Sequence, residues 1–130
     1  MTILDNFSKT LSALELFSST PIVDHRDRAG IIRAFEFTFE QSWKAIQKMA
    51  HQLGATVASP KAAFIFAMQN NWIDPKQEAV WLELLRDRNL TSHTYQEELA
   101  NEVLERIQTQ YIILFKSLLN NLQQALKPTK

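Results

Sequence analysis

From Asp24 to Gly54 the chain runs DHRDRAGIIRAFEFTFEQSWKAIQKMAHQLG, and the reading of this stretch decides the fold. Ile32, Phe35, Phe39, Trp43, Ile46 and Ala50 recur at three- and four-residue spacing, the period of one face of an α-helix. Asp24 is placed to cap the start of that helix, and Gly54 to stop it after about Leu53. About thirty residues rising ~1.5 Å each give a rod of roughly 45 Å, the length of a strut in a helical bundle.

The same period extends outward in both directions. Before the strut, Leu4, Phe7, Leu11, Leu14 and Phe17 share one face of a first helix, Thr2 to Ser19, which Pro21 ends. After it, Ser59-Pro60 has the form of a cap followed by a first helical residue, opening a short third helix through Phe64, Met68 and Asn71. Asp74-Pro75 repeats that form, with Gln77 at the capping-box position, for a fourth helix to about Leu90 that buries Val80, Trp81, Leu84 and Leu85. A fifth is expected to open at the capping box Thr94-Tyr95-Gln96-Glu97. It carries Leu99, Val103, Ile107, Tyr111, Leu114, Leu118, Leu122 and Ala125 inward, and Pro128 closes it. Three long helices, with two short ones in series acting as a fourth, predict an all-α, up-and-down four-helix bundle occupying residues 1–130 as one domain.

Composition narrows the function. Fourteen basic residues balance fourteen acidic ones, so the whole chain exerts no strong pull on nucleic acid, and RNA binding requires a local cluster or a surface shared by two subunits. There is no cysteine, which removes disulfides, thiolate zinc sites and cysteine nucleophiles. Gly30 and Gly54 stand too far apart for a glycine-rich phosphate loop. No Glu precedes His25, His51 or His93 by three residues, and no His-Glu-x-x-His occurs, so neither a metal site nor a cofactor is expected. Met1 to Thr20 does not resemble a signal peptide and no apolar run reaches the length of a membrane span, so the expected location is the cytoplasm.

Two clusters remain. Along the strut, Arg33, Glu36, Glu40 and Lys44 form a second stripe that reads as a solvated charged face, with Glu40 and Lys44 a favourable pair. Phe37 fits neither stripe, and one reading has it facing a partner subunit. Further on, Arg86-Asp87-Arg88-Asn89-Leu90-Thr91-Ser92-His93-Thr94-Tyr95 gathers two arginines, a histidine and a tyrosine at the break between the fourth and fifth helices. A cation, an imidazole and the free N–H groups of a helix start suit a phosphate, although spacing alone favours a capped turn.

The segment Arg88 to Tyr95 has the form Arg-x4-His-x-Tyr and resembles the signature of HEPN-domain proteins, in particular the HepT-type toxins. Arg33 to Glu40 with Trp43-Lys44, and Ser59-Pro60-Lys61, are similar to the family once called nucleotidyltransferase substrate-binding proteins. The resemblance spans roughly residues 20 to 110. It implies a helical bundle that forms a homodimer, with the two motifs meeting in a shared cleft, and an RNase that needs no metal. It also implies a minimal nucleotidyltransferase as partner. Under it Arg88 holds the scissile phosphate, His93 moves a proton and Asn89 orients one of them. Tyr95 matches the position that the partner modifies with AMP. Arg86 also fits the permitted spacing to His93; Arg88 is preferred because the shorter spacing accompanies the tyrosine, leaving Arg86 a supporting phosphate contact or a surface charge. Two competing readings stand beside the toxin: a non-catalytic subunit that presents a substrate to the nucleotidyltransferase, and a plain dimerisation module whose polar loop is a cap.

Overall fold

The structure, a computed structural model, describes residues 2–93 and 96–127, without the side chain of His93. It is an all-helical up-and-down bundle: α1 (Asp5–Ser19), α2 (His25–Gln52), α3 (Pro60–Gln69), α4 (Glu78–Leu90), α5 (Glu97–Arg106) and α6 (Ile112–Leu126). The expected strut is α2. Asp24 accepts from the Arg26 and Asp27 N–H groups, and Asp27 reaches back to the Asp24 N–H to complete a capping box. At the other end Gly54 takes φ +82°, a left-handed turn that a side chain would resist.

More than one face of α2 is buried. Besides the expected Ile32, Phe35, Phe39, Ile46 and Ala50, it buries Ile31, Ala34, Thr38, Ser42, Ala45 and Met49. The small residues let neighbours approach closely, and Thr38 and Ser42 satisfy their hydroxyls on the Ala34 and Phe39 carbonyls. α1 packs along one side of it and α3, α5 and α6 along others, so α2 is the centre of the bundle. An aromatic chain crosses the core: Phe7 meets Phe115 edge-on, Phe115 packs on Phe35 and Trp81, and Phe35 stacks on Tyr111 at 5.7 Å.

Several expectations change. Phe17 is 45 % exposed and Ala125 is exposed, each in the last turn of its helix, and Trp43 is half-buried. Pro75 to Gln77 forms a 3₁₀ turn before α4 rather than its first turn, with Asp74 accepting from the Lys76 N–H. α5 begins at Glu97 after Gln96, which makes no side-chain cap; the expected cap, Thr94, lies outside the described residues. Finally, the fifth helix is not uniform. A π turn at Ile107–Tyr111 joins α5 to α6. Leu99, Val103, Ile107 and Tyr111 are spaced by four throughout, and each such step in a straight α-helix turns the stripe by about 40°. The wide turn takes up that drift, so that Val103, Ile107, Tyr111, Leu114, Phe115, Leu118 and Leu122 all reach the core.

Candidate functional site

Three successive residues at the end of α4 go three ways, as a rotation of about 100° per residue requires. Arg86 is exposed and pairs with Glu83 at 3.7 Å on the outer surface. Asp87 turns inward and is completely buried. Arg88 turns toward α2, half-buried, and Asn89 beside it is exposed. The structure therefore brings Arg88 and Asn89 to the helix end and places Arg86 on another face. Thr91–His93 continues from α4 as a 3₁₀ turn, so the backbone of His93 follows directly from this end. The His93 side chain and Tyr95 lie outside the described residues.

Arg88 is not solitary. Its Nη1 donates to Glu36 Oε2 at 3.3 Å and to Thr91 Oγ1 at 3.1 Å, and its guanidinium lies over the Phe39 ring, 5.9 Å from the centroid. Thr91 Oγ1 stands 2.7 Å from both Glu36 Oε2 and the Arg88 carbonyl, so its one hydrogen serves two acceptors. The other carboxylate oxygen of Glu36 faces Arg33 at 3.9 Å. This overturns the reading of Glu36 as part of a solvated face, since a helix-surface stripe ignores partners that arrive from another helix. Glu40 and Lys44 do pair at 3.4 Å as expected. Phe37 is 51 % exposed, with the Arg33 guanidinium 4.8 Å from its ring centre.

Asp87 anchors a second cluster that the sequence reading missed. Arg106, on the last turn of α5, donates to it through Nε at 2.6 Å and Nη2 at 2.9 Å. The Tyr111 hydroxyl, carried inward by the π turn, makes a short hydrogen bond to the same carboxylate. Burial pushes the Tyr111 phenol well above its ordinary value, and the neighbouring Asp87 carboxylate raises it further. The hydrogen bond to Asp87 likewise holds Arg106 firmly protonated. The four-residue spacing from Leu99 to Tyr111 is visible in the sequence, but nothing local in it pairs Tyr111 or Arg106 with Asp87.

Among the described residues no three His, Cys, Asp or Glu side chains gather as a metal-binding set. No described helix is long and apolar enough to cross a membrane.

Comparison with known proteins agrees with this architecture. A family model described as "nucleotidyltransferase substrate binding protein like" matches residues 2–124, and the chain belongs to that family. A crystal structure of a protein from Thermus thermophilus shares the fold with a TM-score of 0.82 at 30 % identity, covering 90 % of this chain and 98 % of that one. No curated protein matches the chain.

Proposed function

We propose that this protein is the toxin of a pair formed with a minimal nucleotidyltransferase, acting as a metal-independent endoribonuclease. The observation that carries the reading is the placement of Arg88. It is a guanidinium held at a helix end, next to exposed Asn89 and to the turn that leads into His93. A turn that merely capped two helices would need no arginine braced from another helix.

In this reading Arg88 grips a non-bridging oxygen of the scissile phosphate and offsets the charge that grows on it. The ribose 2′-oxygen bonds to phosphorus while the bond from phosphorus to the leaving 5′-oxygen breaks, giving a 2′,3′-cyclic phosphate. His93 takes the 2′-hydroxyl proton or supplies one to the departing oxygen, and Asn89 orients one of the reacting groups. The nucleophile belongs to the RNA itself, so the step proceeds without a metal and spares DNA. A homodimer brings two such sites into one cleft, which gathers basic charge that a chain of net charge zero otherwise lacks. Addition of AMP to the Tyr95 phenol by the partner, with loss of pyrophosphate from ATP, puts a bulky anion beside the site and shuts it.

The family description favours a second reading equally: a non-catalytic subunit that binds the nucleotidyltransferase and presents a substrate to it. Expression without a partner separates the two. The toxin reading expects growth arrest and cleavage of RNA in EDTA with cyclic-phosphate ends, both abolished by His93→Ala and Arg88→Ala. Inert protein in all three forms that still binds a nucleotidyltransferase establishes the adaptor instead.

A further inference from the structure

We propose that Glu36 is a positioning residue for Arg88, and that its charge also sets how strongly the site holds RNA. The role rests on the ribonuclease reading above. An arginine side chain samples many rotamers, and that freedom must be removed before its fork can meet a phosphate in one geometry. Glu36 comes from α2, the central helix, and its neighbours Phe35 and Phe39 are buried, so its carboxylate projects from a fixed platform. Thr91 closes a ring by contacting both Glu36 and Arg88.

The geometry leaves the arginine usable. Among the described residues every hydrogen bond of the Arg88 guanidinium is made by Nη1, at 3.1 and 3.3 Å, which is long for a charge-assisted bond. Nε and Nη2 form the edge of the guanidinium that can take two phosphate oxygens at once. Glu36 thus holds one corner of the fork and leaves the opposite edge for substrate.

Charge acts beside geometry. Arg33 and Arg88 flank Glu36, so the three together carry one positive charge. Neutralising the carboxylate raises this to two. Each additional phosphate contact steepens the salt dependence of single-strand binding by about 0.7 in the logarithmic slope. Glu36 therefore trades affinity for orientation, and the two effects move KM and kcat in ways that loss of folding does not.

The test measures steady-state cleavage of a single-stranded RNA oligonucleotide, with thermal unfolding alongside. Glu36→Gln is expected to lower KM and steepen its salt dependence while lowering kcat by up to about 100-fold. Glu36→Asp restores the charge but falls one methylene short, so KM returns to the original value and kcat stays low. Thr91→Val keeps the charge and removes one brace, so kcat falls without a fall in KM; it also answers the question if Glu36→Gln does not fold. Wild-type kcat and KM in the folded variants overturn the role, as does a loss explained entirely by a smaller folded fraction. If the wild-type protein itself cuts no RNA, the ribonuclease reading fails and this role fails with it.

Discussion

Arg106 and Asp87 are nineteen residues apart, yet the guanidinium of one clasps the carboxylate of the other through two parallel hydrogen bonds of 2.6 and 2.9 Å. The Asp87 carboxylate is wholly buried and also receives the Tyr111 hydroxyl. A buried charge with this many partners stands or falls as a set, because removal of one member leaves the others desolvated and unpaired.

Asp87→Ala is therefore expected to destabilise the protein by about 3–5 kcal/mol. Urea denaturation reads this as a lower midpoint at unchanged slope. A loss below about 1 kcal/mol would show that water or a rearranged neighbour takes the carboxylate's place.

Alkaline pH probes the same cluster. The Tyr111 phenol binds its proton more tightly in the folded chain than its ordinary value of 10.0. Above that pH the unfolded chain releases the proton and the folded chain keeps it, so unfolding is favoured as pH rises. The stabilisation is full below pH 10 and is lost as pH climbs beyond it. Tyr111→Phe removes this component, and its unfolding midpoint should change less between pH 9 and pH 11 than that of the wild type.

The π turn makes a prediction about chain length. Gln108, Thr109 and Gln110 are all exposed within it. Deleting Thr109 turns the wide turn into an ordinary one while α5 and α6 keep their faces toward the core, so a folded protein is expected by circular dichroism. Inserting one alanine after Ser117 has the opposite effect. It rotates everything beyond it by about 100° and takes Leu118 and Leu122 out of the core. Equal tolerance of the two changes would contradict the role assigned to the turn.

Arg86 and Arg88 are separable by kinetics. On the proposed ribonuclease reading, Arg88→Ala removes the group that offsets the transition-state charge and is expected to lower kcat by about 100-fold or more. Arg86→Ala removes at most a phosphate contact from another face of α4, raising KM and reducing the salt slope with kcat held. The reverse pattern would transfer the catalytic role to Arg86.

How much of this was legible in the sequence follows from the range of each interaction. α2 was legible because its cap, its apolar period and its glycine stop all lie within one segment. The bundle followed from five such segments and short connections. Glu36 was misread because the rule applied to it compares residues within one helix, whereas its partner Arg88 is 52 positions away. Tyr111 was placed correctly among inward residues, but nothing local announced that its hydroxyl would meet Asp87. Arg88 and Asn89 stood out only by resemblance to a family motif; their division from Arg86 by face needed only helix geometry once the end of α4 was known.

The clasp between Asp87 and Arg106 has one more consequence. It ties the end of α4, immediately before Arg88, to the last turn of α5. Proteins open locally in cooperative units, and an ion pair that joins two helices makes the opening of one depend on the other. Loss of the clasp would therefore loosen the end of α4 and the end of α5 together, and with them the backbone that carries Arg88.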